Sequence, residues 1–228
     1  VTHNDVVASE LIRSRALPLA QARWEVGAPQ IRNRATIAGN VITASPANDT
    51  ISPLLALGAQ VELLSVRGTR LVPLDSFYTG LRKTVMLPDE LLTAVLVRAM
   101  HPDERATFVK LGLRRAQAIS VINVTAVVSL DGNLVTRAAI SLGCVAPTVI
   151  RVPAAENALV GRPLDPHVIA DAARAAAAAP SPISDVRGTA GYRTEMIAVL
   201  VTRALRALAA GQPITLPVDP ALLSGASP

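Results

Sequence analysis

The sequence predicts an α+β fold rather than a doubly wound sheet, and three observations carry that expectation. In the second half of the chain, strand patterns come first and helix patterns after. Two turn signals, Arg67-Gly68 and Asp131-Gly132-Asn133, join neighbouring strand patterns as hairpins. Half of the 228 residues are hydrophobic, enough for a packed core. Only 2% are aromatic, so that core rests on Ala, Val, Leu and Ile.

Taken in order, residues 5–14 read as a helix, with an N-cap at Asn4 or Asp5 and apolar positions at Val6, Val7, Leu11 and Ile12. Residues 18–25 read as a second helix. Residues 32–49 are a polar, mostly turn-forming run, and 50–57 a short helix closed by Gly58. The hairpin strands 60–66 and 69–73 follow, because Q-V-E-L-L-S-V partly alternates, and then a strand at 91–97. Residues 101–104 (H-P-D-E) are polar and turn-like, and a domain boundary is placed there. Beyond it come strands at 107–113, 120–130 and 134–145, then helices at 153–160 and 166–179. The second of these is so rich in alanine that it must pack closely. A loop with two prolines spans 180–189, and a long helix over 189–210 ends at Gly211.

Composition narrows the classes of function. No apolar run reaches 18 residues, and residues 1–9 lack the basic start and apolar middle of a signal peptide, so a cytoplasmic protein with no membrane span is expected. A single cysteine, Cys144, excludes an internal disulfide and a cysteine-based metal or iron–sulfur site. The net charge of +5 comes from scattered arginines such as Arg32 and Arg34, Arg67 and Arg70, Arg114 and Arg115. With few aromatics to stack bases, no nucleic acid is expected as a partner. His3, His101 and His167 sit at segment edges and read as solvated; Cys144 reads as a small core residue in mid-strand. No nucleophile–base–acid set, metal-ligand spacing, Walker loop or G-x-G-x-x-G is present, so no catalytic side chain is assigned.

The run R-N-R-A-T-I-A-G-N-V-I-T-A-S-P-A-N-D (residues 32–49) is the candidate site. It reads either as an irregular surface loop or as a place for a ligand bearing phosphates and ribose. For the second reading stand Thr36 and Asn40, which flank Ile37, Ala38 and Gly39, where small residues let the backbone approach a ligand. Asp49 could accept from a ribose hydroxyl or cap the helix that follows it.

T-I-A-G-N-V-I-T-A-S-P-A-N-D resembles the second flavin-binding motif of the FAD domain in molybdenum hydroxylases, the family of xanthine and carbon monoxide dehydrogenases. L-R-K-T-V-M-L-P-D-E-L-L-T-A-V, F-V-K-L-G-L-R-R-A-Q-A-I-S-V and S-D-V-R-G-T-A-G-Y-R-T-E-M resemble later segments of the same family, in the same order. The resemblance implies that Thr36, Ile37, Ala38, Gly39 and Asn40 line the FAD phosphates and ribityl chain, and that Asp49 holds a polar part of the cofactor. It places Val26 at an apolar contact, Leu92 against FAD, and Lys110 and Ile119 near the flavin ring. Two departures stand out: Ala38 replaces a usual glycine, and Gln117-Ala118 falls where the family often has an acidic or aromatic residue.

By the same resemblance, the fold is the C-terminal part of a vanillyl-alcohol-oxidase-like (PCMH-type) FAD-binding domain, residues 1–99. A small domain with a three-stranded antiparallel sheet and helices follows over 100–212, and a tail over 213–228. The family's first glycine-rich FAD motif is expected to precede Val1, so the sequence reads as starting inside the flavin domain. The chain is expected to be the FAD-binding medium subunit of a three-subunit enzyme. Its partners would be a large molybdopterin subunit and a small subunit with [2Fe–2S] clusters, in a dimer of heterotrimers. The alternative is a non-catalytic structural subunit that keeps the fold without FAD.

Overall fold

In a computed structural model of the protein, residues 1–211 are described. Residues 212–228, and with them the tail expected at 213–228, lie outside the described residues. Three helices open the chain: α1 (His3–Ala8), α2 (Glu10–Arg15) and α3 (Leu17–Trp24). Residues 5–14 therefore form two helices, not the one expected. Ser9 makes the break: its backbone is extended (ψ 116°) and its hydroxyl accepts from the Ile12 N–H, so it ends α1 and caps α2. The N-cap of α1 is Thr2, in a capping box with Asp5, rather than Asn4 or Asp5.

The run from 32 to 49 holds more regular structure than its composition suggests. α4 (Pro29–Arg32) ends in it and α5 (Ile37–Ile42) fills its middle, while α6 (Ile51–Ala56) follows. Next come β1 (Gln60–Ser65) and β2 (Gly68–Pro73), the expected hairpin. A small hairpin that the sequence did not predict, β3 (Tyr78–Gly80) and β4 (Lys83–Thr84), precedes β5 (Leu91–Leu96). β5 pairs with β1 to give the order β2-β1-β5.

The second half builds an antiparallel sheet from β6 (Glu104–Gly112), β7 (Ser120–Asp131), β8 (Leu134–Gly143) and β9 (Ile150–Arg151), in that order. Three strands are expected and four are found, because β9 is two residues long and leaves no alternation to read. α7 (Pro153–Leu159), α8 (Pro166–Ala178) and α9 (Ala190–Ala209) cover one face. Alternation along β7 sends Ile122, Val124, Ala126 and Val128 into the core beneath these helices. In α9, Ile197, Leu200, Val201, Ala204, Leu205 and Leu208 recur at helical spacing on the same core, and the alanines of α8 allow a close approach.

The other face of the sheet meets the first half of the chain, and it is partly polar. Thr125 shares a hydrogen bond with Ser52 of α6 at 3.1 Å, and the Ser141 hydroxyl donates to the Ser52 carbonyl at 2.6 Å. Val127, Ala106, Ala139 and Val149 join a second core with Leu54, Leu57, Leu63 and Phe77. Where the two halves join, buried Glu104 accepts from Arg98 (2.6 and 2.7 Å), Arg137 (2.9 Å) and the His101 N–H (2.9 Å). Burial raises its carboxyl, but these donors outweigh that effect and hold it below the ordinary value.

Two residues stand elsewhere than expected. His3 is buried, not solvated, because Thr2 starts α1 one residue ahead of it and turns its ring onto Arg23. Cys144 lies just past β8 rather than in mid-strand, with φ +67°, and its N–H donates to the Pro46 carbonyl at 2.9 Å. No described helix is long and apolar enough to cross a membrane.

Candidate functional site

α5 is the centre of the site. Thr36 is its N-cap: the backbone there is extended and Oγ1 accepts from the Gly39 N–H at 3.0 Å. The Ile37 N–H donates to the Val1 carbonyl and the Asn40 N–H to the Thr36 carbonyl. That leaves the Ala38 N–H without a hydrogen-bond acceptor among the described residues. Gly39 is exposed, and a Cβ there would come within 3.2 Å of the capping Thr36 Oγ1. Asn40 is fixed from behind, since Thr50 donates to its Oδ1 and Asn48 donates to its carbonyl at 2.6 Å. Its amide nitrogen has no partner among the described residues and can serve a ligand.

Asp49 turns inward. It does not cap α6, whose N-cap is Thr50 and has no side-chain cap bond. Its Oδ2 accepts from the Lys110 ammonium at 2.7 Å, and its Oδ1 accepts from Ser120 and, at 3.2 Å, from Asn123. Burial pushes the Asp49 carboxyl up, opposed by Lys110 and then by the two hydrogen bonds from Ser120 and Asn123. Lys110 also donates to the Glu25 carbonyl at 2.9 Å, which joins β6 to the end of α3. Ser120 and Asn123 are members of the site that sequence reasoning missed. The signal for Asn123 is β7's strand parity, which puts it opposite Lys110 and on the face away from α9. Ser120 has the other parity and follows the register shift between Leu111 and Gly112, which no spacing in the sequence reveals. Gly143 is another, for it pairs with Asn123 and a Cβ there would overlap the Asn123 amide.

The residues expected to hold the cofactor lie along three hollows around α5 and the β6–β7 connection. Thr36, Ile37, Ala38 and Leu92 share a groove of about 690 Å³ floored by apolar residues such as Val6, Leu54 and Val95. Val26, Asn40, Asp49 and Ile119 share a second cleft of about 330 Å³. Lys110 faces a third, of about 700 Å³, with Trp24, Arg114 and Arg115. Gly39 lies on the surface between the first two and lines none of the three. Ala118 lines both the second and third, so the β6–β7 connection is the wall between them. Gln117 in that wall has φ +53°, and Arg114 braces it by donating to the Ala116 and Gln117 carbonyls at 3.0 and 2.8 Å. No group of three His, Cys, Asp or Glu that could hold a metal ion occurs among the described residues.

A family model described as the FAD-binding domain in molybdopterin dehydrogenase matches residues 1–98. A second, the CO dehydrogenase flavoprotein C-terminal domain, matches residues 107–208. The carbon monoxide dehydrogenase medium chain of Hydrogenophaga pseudoflava is 32% identical over 204 residues, 90% of this chain and 71% of that protein. This chain belongs to the FAD-binding medium-subunit family of the molybdenum hydroxylases. The nicotine 6-hydroxylase medium subunit of Paenarthrobacter nicotinovorans is a further relative, 32% identical over 90% of this chain and 71% of its own length. Among solved structures, carbon monoxide dehydrogenase from Hydrogenophaga pseudoflava lacking the Mo-pyranopterin moiety of the molybdenum cofactor superposes with a TM-score of 0.88. It is 33% identical and covers 91% of this chain and 72% of that one. The medium-subunit fold, an FAD-binding domain followed by a flavoprotein C-terminal domain, is thus the fold of this chain, and the chain is an oxidoreductase subunit.

Proposed function

We propose that this subunit holds FAD along the hollows around α5 and passes electrons through it to an external acceptor. The observation that carries this reading is the convergence on those hollows of residues far apart in sequence: Val26, Thr36, Asn40, Asp49, Leu92, Lys110 and Ile119. The donor set fits the cofactor. Thr36, the Ala38 N–H and the Asn40 amide offer short polar groups to phosphates and ribityl oxygens. Ile37 and Leu92 offer an apolar wall, and Val26 and Ile119 a second one suited to a flat ring. Asp49 acts from within, fixing Lys110 in its place. Bound there, FAD supplies the redox chemistry that no side chain of this protein can.

In the full assembly, a large partner subunit would hold the molybdopterin where substrate is oxidised, and a small one would hold the [2Fe–2S] clusters that supply electrons to this subunit. Electrons then leave through the flavin site. The assembly is read as a cytoplasmic dimer of heterotrimers, and the chain as dividing near residue 100 into a flavin part and a C-terminal part.

The test is the visible spectrum of the purified chain after FAD is added and the excess removed. A flavin band near one FAD per chain is expected, and Leu92→Glu should weaken FAD binding at least about tenfold with an unchanged far-UV circular dichroism spectrum. A wild-type protein that stays colourless would overturn the reading and favour a purely structural subunit.

A further inference from the structure

Next to the cleft that carries Val26, Asn40, Asp49 and Ile119, though outside its lining, buried positive charge outnumbers negative and reaches the cleft through Asp49 and Val26. Arg23 of α3 is fully buried, and the side-chain partner of its guanidinium is the His3 ring, with Nη1 2.6 Å from Nδ1. Its Nε and Nη2 have no partner among the described residues. Arg32 of α4 is also buried, donates to the Trp24 and Val26 carbonyls at 3.2 and 3.1 Å, and lies 4.8 Å from the centre of the Trp24 ring. Lys110 of β6 is the third cation, and it is already paired with Asp49.

The other groups facing this cluster do not restore the balance. On α1, His3 is neutral: burial first, then Arg23 and Arg32, lower its pKa to about 3. At the end of α3, Glu25 presents its carbonyl to Lys110, and its carboxylate, though exposed, offsets part of the burial of Arg32. On β7, Ser120 and Asn123 are uncharged donors to Asp49. One buried carboxylate, Asp49, which also acts on Arg23, stands against the buried cations Arg23, Arg32 and Lys110, so a positive surplus remains.

A buried cation short of counter-charge is among the costlier groups a protein core can hold, and a negative charge brought near it lowers that cost. The oxidised isoalloxazine ring is neutral. Two-electron reduction with uptake of one proton makes it an anion centred on N1, and a second proton makes it neutral again. We propose that Arg23 is a positioning residue for the flavin: with Arg32 it supplies the buried surplus of positive charge that keeps the reduced ring as its N1 anion. In balance, two electrons and one proton enter the ring and the second proton stays in solvent. This inference rests on the reading that FAD occupies the cleft.

The test reduces the FAD-loaded protein with dithionite without oxygen and follows the reduced-flavin absorbance against pH, beside free reduced FAD in the same buffer. The wild-type protein is expected to lose the N1 proton at least about one pH unit lower than free FAD, a tenfold change in proton affinity. Arg23→Gln should move that pH upward, back toward the free cofactor, and Arg23→Lys should titrate as the wild type does. A wild type that titrates with free FAD overturns the proposal, and this comparison stands even if Arg23→Gln fails to fold. Arg23→Gln titrating as the wild type, or Arg23→Lys shifting as far as Arg23→Gln, overturns it as well. A protein that binds no FAD removes the flavin reading itself; bound FAD with an unshifted titration removes only this inference.

Discussion

Asp49 and Lys110 are 61 residues apart in sequence, and each side chain is only 6% exposed. An ion pair in solvent contributes little, but removing one partner of a buried pair strands the other charge. Lys110→Met is therefore expected to destabilise the protein by roughly 3–5 kcal/mol, while Asp49→Asn combined with Lys110→Met recovers more than half of the loss. Urea denaturation of the two single variants and the double variant measures this; a double variant no more stable than Lys110→Met would show that the stranded charge is not the cause. His3 gives a second prediction at this scale. Its folded pKa of about 3 lies below the ordinary 6.5. Below pH 6.5 the unfolded chain takes up a proton that the folded one refuses. The stability His3 contributes is complete above that pH and is lost as pH falls toward 3, at about 1.4 kcal/mol per unit. Asp49, whose carboxyl is raised, acts in the opposite direction, so the informative quantity is the difference from His3→Gln. That variant should lose stability less steeply across the window, and equal slopes in acid denaturation would dismiss His3 as the source.

Among the elements, α5 and β8 carry the site for different reasons. Thr36 starts α5 and orients its first turn. Thr36→Ala is expected to cost about 1 kcal/mol of stability and to weaken FAD binding, with Thr36→Ser restoring both, as read by thermal melts and FAD titration. The strands and helices of the second half were legible because their periods are clean: α9 repeats apolar residues at helical spacing, and Asp131-Gly132-Asn133 announces the β7–β8 turn. α5 was not legible as a helix, because Thr36, Gly39 and Asn40 dilute its pattern and read as turn residues. Ser9 is better suited to a cap than to a helix interior, but the apolar spacing of Val6, Val7, Leu11 and Ile12 runs across it and masks the α1–α2 break. The polar anchors of Asp49 lie too far along the chain for spacing to reveal them. Only the register of β6, β7 and β8 puts Lys110, Asn123 and Gly143 side by side. Their dependence is testable at Gly143, where a methyl group must displace the Asn123 amide. Gly143→Ala should destabilise by roughly 1–3 kcal/mol, and an unchanged denaturation midpoint would mean the amide moves aside freely.

At the scale of the whole molecule, a single sheet serves two cores. One face of β6–β8 is sealed by α7, α8 and α9, and the other closes the core of the first half through Ala106, Val127 and Ala139. The sequence changes character near residue 100, yet Glu104 ties Arg98 on one side of that point to Arg137 on the other, and Asp49 ties the turn before α6 to β7. Removing the first half would bare the apolar and polar groups of β7 together, so neither half can unfold without exposing the other. The proposed FAD residues straddle the same junction: Thr36 and Leu92 come from one half, Lys110 and Ile119 from the other. A ligand held by both halves stabilises the folded state as one unit. Scanning calorimetry is therefore expected to show one transition, raised as a whole by FAD. At about a hundred times the dissociation constant, the added stability is about 2.7 kcal/mol. Two separate transitions, or an FAD shift confined to one of them, would place the cofactor within one half and break the link between the shared sheet and the site.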